Sequence, residues 1–251
     1  MTARGHTRNY TTLTDVIGRC AITRPAIAPQ TEDQTGYCTC FLVSGDVIMT
    51  AQHCVDQDFQ TRPEGTDRPR VRTIFRLGVS GHPDTSIAER LVLRVVAKGA
   101  GSPGSRPDWI TLRLREPISD ARPLPLRLKP VDKNTPLTII HYGVLPGYHI
   151  SLIPSQTITP CRITRLREAS IRHDCPLPPG ASGAPVLAQT ETGWEVVGLT
   201  TTLGLPGPRS TDPMAGFSHF AGVTQAAYSQ AVTINPAMLV DLDRASAQPT
   251  H

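Results

Sequence analysis

Several things are scarce in this chain of 251 residues, and each scarcity excludes something. Helical periodicity is missing until the last stretch, so a helical bundle is excluded. No apolar run approaches membrane-spanning length, so a spanning helix is not expected. Lysine is confined to Lys98, Lys129 and Lys133, and the many arginines are scattered through strands and loops. Net charge is only +4, from 25 basic and 21 acidic residues. With no aromatic-plus-basic platform, nucleic acid is not an expected partner. The doubled Cys-x-x-Cys spacing of a zinc site is absent, so no metal is expected. Internal repeats are absent too. The first ten residues are polar, with no apolar core of a signal peptide.

What is abundant is punctuation. Twenty glycines and 24 prolines separate short runs of β-branched and apolar residues. That pattern predicts many short strands joined by turns, an all-β chain with a sizeable core. Residues 1–10 read as an arm. Strands are expected near Val16–Cys20, Cys38–Ser44, Val47–Thr50, 71–79 and 86–96, and over Asp108–Leu114. The Gly45-Asp46 turn between two apolar runs is a hairpin signal. The proline-rich stretch 115–136 is the expected boundary between two halves, 11–125 and 126–251. The second half predicts strands at 137–142, 151–158, 161–166, 185–189, 194–202 and 230–234. Residues 169–179 lead into a small-residue turn. A helix is expected from Pro236 to Arg244, with Asn235 as its N-cap.

That turn, Gly180-Ala-Ser-Gly-Ala-Pro-Val186, presents a serine between glycines. Such a turn can expose a hydroxyl and leave amide N–H groups free for a ligand oxygen. Alone it equally fits a plain connection between strands. Two other segments change its meaning. In Thr50-Ala-Gln-His53-Cys54 a histidine ends an apolar strand, and Asp108 opens the strand Trp109-Ile-Thr-Leu112. His53 by itself could be a satisfied strand-end histidine, and Asp108 a strand cap. Together with Ser182 they give a nucleophile, a base and an orienting carboxylate. The order His, Asp, Ser is that of the chymotrypsin-type template.

The residues Cys38-Thr-Cys-Phe-Leu-Val-Ser-Gly-Asp-Val-Ile-Met-Thr-Ala-Gln-His-Cys-Val55, Asp108-Trp-Ile-Thr-Leu-Arg-Leu114 and His173-Asp-Cys-Pro-Leu-Pro-Pro-Gly-Ala-Ser-Gly-Ala-Pro-Val186 carry a resemblance. The chain resembles the trypsin-like serine peptidases of the chymotrypsin fold, closest in style to compact bacterial trypsin-like and glutamyl-endopeptidase-like members. The resemblance implies two six-stranded antiparallel β-barrels with an active-site cleft between them, plus a short C-terminal helix. It implies a serine endopeptidase working through an acyl-enzyme, with His53 and Asp108 from the first barrel and Ser182 from the second. The oxyanion hole would be the amides of Gly180 and Ser182. No cofactor or metal is implied. The substrate would be a peptide or protein, the chain a monomer, and no membrane or nucleic acid would take part. A silent peptide-binding relative and an esterase with the same machinery are the alternatives.

An even cysteine count in a β-rich chain suggests disulfides and an oxidising compartment, secreted or periplasmic. Many pairings of six cysteines are open. The resemblance suggests Cys38–Cys54 and Cys161–Cys175. Cys20 and Cys40 are then left on strands expected to be neighbours, as a third bridge or as two buried thiols. Ala181 stands where many animal relatives carry an aspartate that binds a freed N-terminus, so activity independent of such a terminus is expected. Pro176 replaces the aspartate of Arg/Lys-specific enzymes. The strand after the serine turn lacks the histidine of glutamyl endopeptidases. Pro176, Thr200, Thr201 and Leu203 are the expected pocket residues, suited to a small or medium uncharged side chain.

Overall fold

The computed structural model describes residues 13–24, 33–55, 72–78, 86–100, 107–143, 157–175, 177–178, 180–191, 193–204 and 228–239. The expected arm at 1–10 and strand residues 151–156 lie outside these. Among the described residues there are twelve strands, and each half closes on itself. β1 (Ile17–Arg24) follows a 3-10 turn at Leu13–Val16. β2 (Gln34–Leu42), β3 (Val47–Thr50), β4 (Arg72–Leu77), β5 (Ala88–Lys98) and β6 (Ile110–Leu114) complete the first barrel, in the order β1-β2-β3-β6-β5-β4. β7 (Pro136–His141), β8 (Thr157–Arg167), β9 (Ser170–His173), β10 (Pro185–Thr190), β11 (Gly193–Gly204) and β12 (Tyr228–Thr233) form the second, in the order β10-β11-β12-β9-β8-β7.

The strand pairs are antiparallel, and register shifts mark the places where the sheets bend. β5 slips twice against β6, β8 once against β9, and β11 once against β12 beside Thr200–Thr202. Extra residues of this kind bend a sheet strongly enough to close it into a barrel. Two expectations change. The strands expected at 151–158 and 161–166 meet in one strand, β8, which runs through Pro160. The lead-in at 169–179 contains a strand, β9, that closes the second barrel.

Segment 115–135 links the barrels and is tied to both. Ile118 N donates to Gly45 O, and Leu124 N donates to Leu42 O, in the first barrel. Arg127 N donates to Val196 O, and Val196 N donates to Pro125 O, in the second. One apolar cluster fills the first barrel with Phe41, Phe75, Met49 and Leu112 and continues to Leu187, Leu199 and Val232 on the second. Burying each such large side chain contributes about 1.5–3 kcal/mol. Met238 joins that cluster from the helical turn at 236–239. Asn235 Oδ1 accepts the Ala237 amide at 3.1 Å and caps that turn.

Candidate active site

The site begins with register. Thr50 pairs with Ile110 across the β3–β6 ladder. His53 lies three residues beyond Thr50, and Asp108 two residues before Ile110, so the ladder delivers both to one end of the barrel. β3 is buried throughout, and the chain then tightens into a 3-10 turn, Gln52–Cys54, that carries His53. Cys54 is bonded to Cys38 on β2, which fastens this turn to the barrel wall. Asp108 is 2% exposed and accepts twice from His53. Oδ1 takes the backbone amide at 2.9 Å and Oδ2 takes ring Nδ1 at 2.7 Å. A carboxylate only accepts, so Nδ1 carries the proton. Nε2 of a neutral ring is then left with a free lone pair, the form a general base needs.

The serine turn is shaped by two left-handed glycines, Gly180 at φ +86° and Gly183 at φ +83°. Gly183 has a second reason to lack a side chain, because a Cβ there would overlap Thr39 O and Thr50 Oγ1. The turn is thus seated against the first barrel, on the strand end that leads to His53. Thr39 fixes the seat. Its amide donates to Ser182 O at 2.9 Å, and its hydroxyl donates to Gly180 O at 2.8 Å. The same hydroxyl accepts the Tyr142 amide at 3.0 Å. Thr50 Oγ1 in turn donates to Thr39 O at 2.8 Å.

On its own barrel the turn is held by Gly183 N to Thr200 O at 2.7 Å and by Thr200 N to Ala184 O at 2.9 Å. Ala181 is fully buried in the second core, where an aspartate would place a charge among apolar groups. Behind Gly180 lie Tyr142 O and the Gly143 Cα, close enough to crowd any side chain. His141 braces that backbone, its Nδ1 accepting the Gly143 amide at 3.0 Å. Burial pushes the His141 ring down to about 4, so it is neutral at pH 7.

β11 forms the wall beside the serine turn. Thr200 Oγ1 is buried and has no hydrogen-bond partner among the described residues, while Thr201 Oγ1 reaches Gln230 O at 3.4 Å. Leu203 is in the same strand, two residues past the bulge region, and Pro176 lies outside the described residues. The structure joins Cys20 to Cys40, Cys38 to Cys54 and Cys161 to Cys175, with Cα separations of 5.9, 6.2 and 5.2 Å. Cys20 is in register with Cys38 but bonds diagonally to Cys40. Sequence reasoning overlooks Thr39, Thr50 and His141. A signal for Thr39 exists: with Cys38 and Cys40 turned into the first barrel, strand alternation turns Thr39 toward the second.

Comparison with known proteins fits this geometry. Residues 38–199 match the model of the trypsin-like peptidase domain. The chain belongs to that family, and its class is that of the serine-type endopeptidases. A solved Glu endopeptidase is 14% identical, with 96% of this chain and 94% of that one aligned and a TM-score of 0.62. Protease Anisep from Arthrobacter nicotinovorans is 10% identical over 94% and 97%, with a TM-score of 0.63. A scabies mite inactivated protease paralogue is 14% identical over 96% and 99%, with a TM-score of 0.61. At these identities the likeness is one of fold. No match to a curated protein was found.

Proposed function

We propose that this chain hydrolyses peptide bonds through an acyl-enzyme, with Ser182 as nucleophile, His53 as general acid and base, and Asp108 as the orienting carboxylate. The observation that carries the reading is the two-point contact of Asp108 with His53 beside the seat of the serine turn. Ser182 Oγ attacks the scissile carbonyl carbon as its proton passes to His53 Nε2. The amides of Gly180 and Ser182 receive the oxyanion. Collapse expels the amine, which takes the proton from His53, and water repeats the sequence to release the acid. No metal or cofactor enters any step.

Thr200, Thr201, Leu203 and Pro176 form the specificity pocket in this reading. The unpartnered Thr200 hydroxyl favours a small or medium side chain, uncharged and able to share a hydrogen bond. The edge at 201–203 adds the substrate as an extra strand. Three disulfides suit an extracellular or periplasmic setting, and in this reading the chain acts as a monomer. Ala181, buried where a switch residue would stand, supports activity without trimming of the N-terminus.

A fluorophosphonate probe tests the reading directly. Labelling of the folded wild type at Ser182, lost in Ser182→Ala and strongly reduced in His53→Ala, is expected. A folded wild-type protein that takes no label is a silent relative. Ester cleavage without cleavage of any peptide library would make it an esterase.

A further inference from the structure

The core of the second barrel contains a group that the proposed peptidase chemistry does not use. His173 is fully buried on β9, and among the described residues neither ring nitrogen has a hydrogen-bond partner. A neutral imidazole always carries one N–H and one lone pair, and leaving such groups unpaired costs about 1–3 kcal/mol each. The neighbours explain what could satisfy it. Cys161 on β8 and Cys175, two residues past His173, are both buried, and their sulfurs lie within 4.8 Å of a His173 nitrogen and of one another. Ile163 pairs with His173 across the β8–β9 ladder, which fixes the histidine on the same interior face as Cys161.

We propose that Cys161, His173 and Cys175 are a zinc site, closed in the oxidised protein by their disulfide and opened by reduction. A dithiol reductant converts the bridge to two thiols and is itself oxidised to a disulfide. Zinc(II) then displaces one proton from each thiol and takes the His173 lone pair, giving two thiolates and one imidazole, with a solvent oxygen as fourth ligand. Soft sulfur with imidazole is the donor set zinc prefers. Tetrahedral zinc with bonds of about 2.3 Å holds two sulfurs about 3.8 Å apart. A route in exists, for Cys161 lines a cavity of about 830 Å³ on the β7–β8 face, bordered by Lys133, Arg162 and Asp174. Oxidised or metallated, the three residues tie β8 to the segment that leads into the serine turn.

The full chain, reduced with a phosphine and held under argon, is titrated with cobalt(II) as a spectroscopic stand-in. One equivalent is expected to give thiolate charge-transfer and tetrahedral d–d bands that zinc abolishes. A Cys161→Ser/Cys175→Ser variant, which keeps the other four cysteines, should give none. His173→Ala should weaken cobalt binding by more than about tenfold, the lower bound set by losses of mere supporting groups. X-ray absorption of the zinc-loaded wild type needs no substitution. Two sulfurs with one imidazole nitrogen support the site. A four-sulfur shell, bands that survive the double substitution, or no bands in the wild type overturn it.

Discussion

The two barrels hold their contributions to the site in different ways. The first has a core of large side chains, including Phe41, Phe75, Met49 and Leu112, and its β2 carries two adjacent disulfide ends. His53 is fixed there by register, by a bridge at the next residue and by two bonds to one carboxylate. Among the described residues, the second barrel's own cluster has no aromatic residue and has four alanines, Ala181, Ala184, Ala188 and Ala231. Small residues let the serine turn fold into the barrel wall, and its position then depends on contacts reaching across from Thr39. His53 is over-determined by its own barrel. The Ser182 turn is placed by a neighbour. Damage should therefore read differently on the two sides.

The largest expected effect is on His53. Asp108→Asn should keep the fold, because an amide fits the same space, but it offers Nδ1 the wrong partner. About a 10⁴-fold fall in kcat/KM is expected, the size seen when such a carboxylate is neutralised. Thermal unfolding measured alongside separates lost chemistry from lost structure. A near-normal rate would remove Asp108 from the mechanism and with it the contrast between the two barrels.

Next in size is a loss of stability without a loss of chemistry. Replacing Cys20 and Cys40 by alanine removes a bridge with a sequence separation of 20. Loop-closure entropy of that length corresponds to about 3 kcal/mol. Urea unfolding should show this, with kcat little changed at 25 °C. A collapse of kcat at full folding would mean that the diagonal bridge also shapes the site. Thr39→Val should do the reverse. It removes the hydroxyl bond to Gly180 O in the serine turn and the one accepted from the Tyr142 amide, each worth about 0.5–1.5 kcal/mol. We expect kcat to fall about 10- to 100-fold with KM nearly constant, and Thr39→Ser to restore most of it. A valine variant as fast as wild type would show that the second barrel holds the turn unaided.

Much of the fold is legible in the amino-acid sequence, and the reasons are physical. Alternation, proline and glycine spacing, and the Gly45-Asp46 turn are local signals, and they locate most strands within a few residues. β9 is not legible because Ser170–His173 is four residues long and borders a proline-rich stretch. The sequence pattern divides β8 at Pro160, which pairs with Thr138 beyond the end of β9, where β8 has a partner on one side only. Proline is tolerated at such an edge. His53 and Asp108 sit in distinctive local frames, and the fold puts them in contact. Thr50 and His141 have no such frame, and Thr39 has only the alternation set by Cys38 and Cys40. Their importance comes from what stands opposite them in space, which a single sequence does not display.

The smallest expected effect concerns His141 and the second barrel alone. In the unfolded chain its ring has an ordinary value near 6.5, and burial in the fold pushes it down to about 4. Between those values the unfolded state binds a proton that the folded state refuses. Stability is therefore complete above pH 6.5 and declines as pH falls toward 4. The ring faces Gly143 and the Thr159 hydroxyl, at 3.0 and 3.3 Å, and neither carries a charge that would offset the effect. Protonation would also turn Nδ1 from acceptor to donor against the Gly143 amide, the support beneath Gly180. About 1.4 kcal/mol per pH unit is the limiting slope for one proton. Urea midpoints at pH 7, 6 and 5 should fall more steeply in the wild type than in His141→Gln, which keeps an acceptor but does not titrate. Equal slopes would place the acid sensitivity elsewhere, and the second barrel would then be no more exposed to acid through this residue than the first.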